Sequence, residues 1–194
     1  MVIMSKINYL LVILDSVGYD VFMKAKANNL KRTTVKAVHS PACWTLPSLV
    51  SYLWSYPPIG EQRLFDWDPP KWAPEEFQNR GYLTAFFSGN PFVSMYMEGL
   101  RRKFNVFCDL GKKNCINEMI ERCLDFAKPP FFHVLHVMET HVPYYDGNTE
   151  YPKIYSYDPE VLAKVDVEKA VRQQIRSVEY VDERLGKLFD MLPK

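Results

Sequence analysis

The sequence lacks a surplus of charge of either sign, and it lacks paired cysteines. Its 194 residues carry 24 basic and 23 acidic side chains, for a net charge of +1. This balance gives no indication of a nucleic acid or polyacid partner. Cysteines stand at positions 43, 108, 115 and 123 without any C-x-x-C pair, which argues against a zinc ribbon or a thioredoxin-type site. We therefore expect free, mostly buried thiols in a reducing compartment.

Long hydrophobic runs are missing as well. The apolar run at residues 7–14 is too short to span a bilayer, and Asp15 follows it directly. No secretion signal, internal repeat or low-complexity segment is evident. On these grounds we expect no membrane partner and a cytoplasmic location. Hydrophobic residues nevertheless make up 47% of the chain and aromatic residues 14%, which is typical of a globular domain with a substantial core.

Apolar runs alternate with helical stripes along the whole chain. The alternation predicts an α/β fold, a three-layer αβα sandwich around a mainly parallel sheet, built as one domain from residues 1–194. The first run should be buried on both faces of that sheet. The predicted strands are residues 7–14, 33–38, 82–87, 104–107 and 131–137. The main predicted helices are residues 19–28, 45–55, 93–100, 113–127 and 167–192.

Reactive side chains follow several of the predicted strands. Asp15 comes after the first strand, and His141 comes after the strand at 131–137. Thr45 lies where a loop bounded by Pro41 and Pro47 breaks into a helix. Because the carboxyl ends of parallel strands share one edge of the sheet, we expect these side chains to surround one pocket. A hydroxyl at a helix N-terminus lies near the positive end of the helix dipole, which favours an anion or a nucleophile that attacks one.

Each of these signals has an ordinary structural explanation when taken alone. Asp15 is then the cap of the following helix, and Thr45 or Ser48 is the cap of the next one. His136 alternates with apolar neighbours on a buried strand, so a core histidine with a satisfied hydrogen bond is favoured over a ligand. Together, however, the residues suit chemistry on an anionic ester, with a metal held by a carboxylate, an activated hydroxyl and a histidine that stabilises charge.

Three segments, residues 8–20, 40–48 and 133–144, resemble the sulfatase-like branch of the alkaline phosphatase and sulfatase superfamily. The last predicted helix is similar to the family helix that precedes its second metal-binding strand. The resemblance implies that Asp15 and Thr45 contact a divalent metal, which is Ca²⁺, Mg²⁺, Mn²⁺ or Zn²⁺. It places Thr45 at the nucleophile position and implies that Ser48 and His141 bind the substrate, a small anionic ester. His141 also contacts the leaving oxygen.

The chain departs from the family pattern at several positions. Thr45 cannot yield the aldehyde of a formylglycine enzyme, and Cys43 lies two residues too early to do so. Leu49 and Gly18 stand where relatives commonly have arginine. These departures argue against a formylglycine-type sulfate mechanism. Attack of a threonine alkoxide on phosphorus remains chemically reasonable.

A further departure concerns the metal. The family completes its metal site with an Asp-His pair in a segment reading like S-D-H-G, and no D-H-G occurs in this sequence. We therefore expect a truncated version of the fold, in which the metal is weakly held or absent and activity is impaired. Exposed sheet edges would then favour self-association.

Three functions stay open from the sequence. The first is metal-dependent hydrolysis of sulfate or phosphate esters, and the second is a non-catalytic binding module that keeps the anion pocket. The third is phosphoryl-group transfer, as in phosphoglycerol or phosphoethanolamine transferases, which also use a threonine nucleophile. An in-frame S-D-H-G segment in the DNA after codon 194 would favour an enzyme, and a stop codon there would favour the binding module.

Overall fold

A computed structural model describes residues 7–54, 72–96, 98–111, 114–153 and 158–193. Its central sheet has the strand order β1-β4-β2-β3, and every neighbouring pair is parallel. A small antiparallel pair, β5 with β6, lies in the loop that follows the sheet. The strands are β1 Tyr9–Leu14, β2 Leu83–Ser88, β3 Val106–Asp109, β4 Phe131–Val137, β5 Tyr144–Tyr145 and β6 Glu150–Tyr151.

Helices cover both faces of the central sheet. They are α1 Tyr19–Lys24, α2 Thr45–Trp54, α3 Ala73–Asn79, α4 Pro91–Tyr96, α5 Glu98–Arg101, α6 Ile116–Asp125, α7 Pro159–Leu162 and α8 Val167–Met191. Successive strand residues point to opposite faces. Phe86 of β2 packs in the cluster that contains α2, and Phe87 packs in the cluster that contains α6 and α8. The predicted three-layer α/β architecture is confirmed.

The long helix α8 forms much of one outer layer. Asp166 caps its N-terminus by accepting a hydrogen bond from the Lys169 backbone at 2.9 Å. At the other end, the Asn8 side chain donates to the Pro193 carbonyl at 3.1 Å, which brings the end of α8 beside the start of β1. No helix among the described residues is long and apolar enough to cross a membrane.

Two of the predicted features of the sheet are wrong. Residues 33–38 form no strand but an exposed segment without regular structure. Their β-branched side chains favour a strand, yet this segment buries no face and pairs with no neighbour, and strand propensity depends on both. The strand predicted at 7–14 is not buried on both faces. Among the described residues β1 is an edge strand, so its side chains are only half-buried.

The observed boundaries of other elements differ from the predicted ones by a few residues. The strand predicted at 104–107 begins at Val106, because Phe104 packs in the core and Asn105 accepts a hydrogen bond from the Thr84 backbone. The first helix ends at Lys24 and not at residue 28. The chain turns there toward α8, where the Asp182 carboxylate accepts a hydrogen bond from the Leu30 backbone at 2.8 Å.

Candidate active site

The Asp15 carboxylate lies at the centre of a hydrogen-bonded cluster at the carboxyl end of β1. Its backbone N–H donates to the Val137 carbonyl at 3.1 Å, which extends the β1–β4 ladder by one residue. Its Oδ2 accepts the Thr45 hydroxyl at 3.1 Å and lies 3.0 Å from Nε2 of His136. Its Oδ1 accepts the Ser16 hydroxyl at 2.9 Å. The local structure therefore fixes both oxygens of the carboxylate.

His136 is 1% exposed and bridges two strands. Its Nδ1 lies 3.0 Å from the Ser88 hydroxyl, which also accepts a hydrogen bond from the Asn90 backbone. An ionised carboxylate only accepts, so Nε2 must carry the proton that it shares with Asp15. Nδ1 accepts the Ser88 hydroxyl when the ring is neutral and donates to the same oxygen when the ring is charged. His136 is thus a core histidine with satisfied hydrogen bonds, and both Nε2 and Nδ1 are already engaged.

The pKa of Asp15 reflects two opposing effects. Burial on its own raises the pKa of this carboxyl group. The hydrogen bond and charge of His136 outweigh burial, and the charge of His141 and the Ser16 hydroxyl add smaller contributions. The result is a pKa of about 2. Asp15 is therefore anionic at neutral pH and is a weak base.

Thr45 is the first residue of α2, where the backbone N–H groups of the first turn lack helical partners. No acidic side chain of α2 itself occupies that first turn, and the Asp15 carboxylate is the anion placed at this positive end of the helix dipole. The Ser48 hydroxyl, by contrast, lies 2.9 Å from the Trp44 carbonyl and 3.2 Å from the Ala42 carbonyl. Ser48 therefore holds the preceding loop on α2, and its contact with a substrate stays a prediction.

His141 follows β4 in a short turn that returns to Asp15. Its Nδ1 lies 2.8 Å from the Val142 carbonyl, which can only accept, so Nδ1 carries a proton. The neighbouring Thr140 hydroxyl donates to the Asp15 carbonyl at 2.8 Å. Asp15, Thr45 and His141 thus lie at one edge of the sheet, although their catalytic and binding roles stay predictions.

The sequence predicted a core histidine with satisfied hydrogen bonds at position 136, and the structure agrees, but the contacts of His136 with Asp15 and Ser88 were missed. The signal that could have found them is strand register, because His136 stands opposite Ser88 in β2 and opposite Ile13 in β1. That register places it one residue before the end of β4, next to the loop that carries Asp15. Register between distant strands cannot be read from one sequence without the sheet order.

The described residues do not form a complete metal site. No group of three or more His, Cys, Asp or Glu side chains in the described part of the chain is placed to hold a metal ion. Asp15 is one carboxylate, and hydrogen bonds already engage both of its oxygens. Zn²⁺ requires about four ligands and Ca²⁺ or Mg²⁺ about six. The divalent metal implied by the sequence does not fit these residues alone.

Comparisons with known proteins agree with this fold. The family model described as Sulfatase matches residues 3–194. A search of curated proteins found no significant match. Among solved structures, the chain is similar to the C-terminal periplasmic domain of EcEptC from Escherichia coli in complex with Zn. The two share 13% identity and a TM-score of 0.63, over 96% of this chain and 59% of that one.

Two further structures show the same likeness. The C-terminal periplasmic domain of phosphoethanolamine transferase EptC from Campylobacter jejuni is 18% identical, with a TM-score of 0.61 over 96% of this chain and 64% of that one. A protein in the alkaline phosphatase superfamily from Vibrio parahaemolyticus is 15% identical, with a TM-score of 0.50 over 95% of this chain and 50% of that one. The chain thus spans between half and two thirds of these structures, and such low identities establish the fold alone.

The predicted cytoplasmic location is wrong by these comparisons, because two of the three structures are periplasmic domains. The prediction depended on the lack of a recognisable signal, which does not locate a protein. The family itself is established, since its model matches nearly every residue: the chain belongs to the sulfatase family.

Proposed function

We propose that this chain carries the nucleophile of a phosphate or sulfate ester site, and that the nucleophile is the Thr45 hydroxyl. The observation that carries the proposal is the hydrogen bond of 3.1 Å from this hydroxyl to Asp15, made at the N-terminus of α2. The bond orients the oxygen of Thr45, and the helix dipole favours the anionic ester in front of it. Family membership supports the same reaction class.

The proposed reaction has two steps. Thr45 Oγ1 forms a bond to phosphorus or sulfur while the bond to the ester oxygen breaks, and the departing alcohol takes up a proton. The Thr45 proton passes to solvent. Water then attacks the Thr45 ester, which releases the inorganic anion and restores the hydroxyl. His141 stands at the same edge, where a histidine can stabilise the charge that develops on the substrate.

The isolated chain should carry out this reaction slowly. Asp15 has a pKa of about 2, so its hydrogen bond orients the Thr45 hydroxyl but does not deprotonate it. A divalent cation normally supplies that activation in such sites. The described residues offer too few ligands to hold one tightly.

Transfer to an alcohol is a second candidate. It shares the first step, and only the oxygen that takes the group from Thr45 differs. What supports it is the unmodified threonine at position 45, because such a hydroxyl acting as the nucleophile would be able to pass a phosphoryl group to an alcohol as well as to water. One of the similar structures is described as a phosphoethanolamine transferase.

A single-turnover experiment tests the proposal even if turnover is very slow. The chain is incubated with p-nitrophenyl phosphate and Mn²⁺ and quenched in acid, and its peptides are analysed by mass spectrometry. We expect one phosphoryl group on Thr45 in the wild type and in Thr45→Ser, and none in Thr45→Val. Ser51→Ala serves as the matched control, because it removes another hydroxyl of α2, which donates to the Pro47 carbonyl at 2.9 Å.

The possible results separate the candidate functions. A wild-type protein without the adduct, or an adduct that survives in Thr45→Val, overturns the proposal. Anion binding without the adduct supports the non-catalytic binding module instead. Adding an alcohol acceptor distinguishes the two reactions, because a transferase moves the group from Thr45 to the alcohol and a hydrolase releases phosphate.

A further inference from the structure

Gln174 is a buried polar residue of α8 that contacts two loops of the site. It is 6% exposed, and its side-chain amide nitrogen lies 2.9 Å from the Ser16 carbonyl and 3.3 Å from the Thr140 carbonyl. Both partners can only accept, so the donating end of the amide must face them. One side chain therefore donates to two loops at the same time.

These two loops carry the residues of the proposed reaction. Ser16 follows Asp15, and Thr140 precedes His141. The Thr140 hydroxyl also donates to the Asp15 carbonyl at 2.8 Å, so the two loops are joined directly as well as through Gln174. The contacts close a ring that runs from Asp15 through Thr140 and Gln174 to Ser16.

The backbone at Ser16 needs support of this kind. Its φ of 63° lies in the left-handed region, which a serine rarely adopts. Such a conformation persists only where the surrounding contacts hold it in place. The amide of Gln174 holds the carbonyl of this same residue, directly next to the carboxylate that orients Thr45.

The neighbouring residue Gln173 provides a matched comparison. It is equally buried, and its amide donates to the Thr149 carbonyl at 3.0 Å and lies 3.2 Å from the Thr149 hydroxyl. Gln173 thus makes the same kind of contact, but to the β5–β6 loop. If the loss of any buried glutamine in α8 disturbed the fold in the same way, variants of Gln173 and Gln174 would behave alike. If the contacts of Gln174 matter for the site, only its variants should affect the Asp15 and His141 loops.

We infer that Gln174 is a positioning residue that locks the Asp15 loop to the His141 loop. Its effect on catalysis rests on the proposed function, whereas the coupling of the two loops does not. Without the amide, Ser16 relaxes from its left-handed conformation and the Asp15 carboxylate moves relative to Thr45. Misplacement of a reacting group by about 1 Å lowers the rate on the order of 100-fold.

Hydrogen exchange on the full chain tests the coupling with Gln174→Met, which keeps the size of the side chain and removes its donors. We expect backbone exchange around Ser16 and around His141 to increase together. In Gln173→Met, exchange should increase only around Thr149. If Gln174→Met does not fold, Gln174→Asn replaces it, because it keeps an amide that is too short to reach both carbonyls.

Formation of the Thr45 adduct supplies the second readout. At saturating p-nitrophenyl phosphate, Gln174→Met should slow the adduct at least about tenfold with little change in the half-saturating concentration. Gln173→Met should match the wild type. Equal behaviour of the two variants, or faster exchange in only one of the two loops, overturns the inference. A wild type without an adduct overturns the proposed function, and hydrogen exchange then still decides the coupling.

Discussion

His136 and Asp15 form a buried pair in which Nε2 of the ring lies 3.0 Å from Oδ2 of the carboxylate. The pair joins β4 to the loop after β1, and it fixes the oxygen that accepts the Thr45 hydroxyl. The position of the proposed nucleophile therefore depends on a histidine that is itself only 1% exposed. Disturbing the pair should change stability and reactivity together.

Asp15→Ala tests that dependence. The substitution leaves Nε2 of His136 buried without its carboxylate, so we expect the free energy of unfolding at pH 7 to fall by about 2–3 kcal/mol. The folded pKa of about 2 lies below the ordinary value of 3.8. The stability that the carboxylate contributes is therefore complete above about pH 4 and is lost as the pH falls through about 2. Urea denaturation at pH 7 measures the change.

Asp109→Ala is the matched control for this prediction. Asp109 is the last residue of β3, and its exposed carboxylate accepts a hydrogen bond from the Gly111 backbone at 2.8 Å. Removing it should cost less than about 1 kcal/mol, as is usual for exposed side chains. Equal losses for the two variants would show that the contact between Asp15 and His136 contributes no more to stability than an exposed hydrogen bond.

Metal titration gives a second prediction. Because the described residues around Asp15 provide few ligands, we expect calorimetry of this chain with Zn²⁺, Mn²⁺, Mg²⁺ and Ca²⁺ to show binding weaker than micromolar. Asp15→Asn should weaken it further, since an amide carries no charge. Micromolar affinity in the wild type would mean that the chain completes its site with ligands outside this cluster.

The sequence predicted the elements whose own residues decide their structure. β4 was predicted with its observed bounds, because its mostly apolar residues, interrupted only by His133 and His136, are all buried. α8 was predicted to within a residue, because Val178, Val181, Leu185 and Leu188 repeat at helical spacing. Both patterns are local, and both agree with the tertiary environment that the fold provides.

What could not be predicted depends on contacts between distant segments. Residues 33–38 have strand-forming side chains but no strand beside them. The edge position of β1 follows from sheet order, which no single segment encodes. In the site, the sequence could predict that Asp15 follows a strand and that Thr45 follows a loop at the start of a helix. The contact of His136 with Asp15 required the register of β4 against its neighbours.

Gly186→Ala tests the packing of α8 on the loop after α1. A Cβ at position 186 would lie 2.5 Å from the side-chain nitrogen of Asn29, which itself donates to Asp182 at 3.0 Å. Alanine favours a helix by about 1 kcal/mol relative to glycine, but the clash should outweigh that gain. We expect a net loss of up to about 2 kcal/mol in the free energy of unfolding, since the overpacking exceeds the helix gain. Urea denaturation measures it.

A double-mutant cycle separates the clash from other effects of this substitution. In an Asn29→Ala background the obstructing side chain is gone, so Gly186→Ala should be neutral or stabilising there. The same loss in both backgrounds would contradict the proposed contact.

His133 gives the last prediction, which concerns pH. The ring is fully buried between Phe131 and Phe87, and Nδ1 lies 3.5 Å from the Cys123 sulfur. In the described structure Nε2 has no hydrogen-bond partner. Burial lowers the pKa of His133 to about 4, below the ordinary value of 6.5. Between these pH values the unfolded chain takes up a proton that the folded chain excludes.

The free energy of unfolding should therefore fall as the pH decreases from about 6.5 to 4, by up to about 3 kcal/mol for this residue. His133→Leu cannot take up the proton in either state and should lose that part of the pH dependence. Urea denaturation of both proteins at pH 7.5 and 4.5 isolates the effect, because their other titrating groups are shared. Wild type should lose about 2–3 kcal/mol more than the variant. Equal losses would mean that the folded protein accommodates a charged His133, which a site without a partner for Nε2 should not allow.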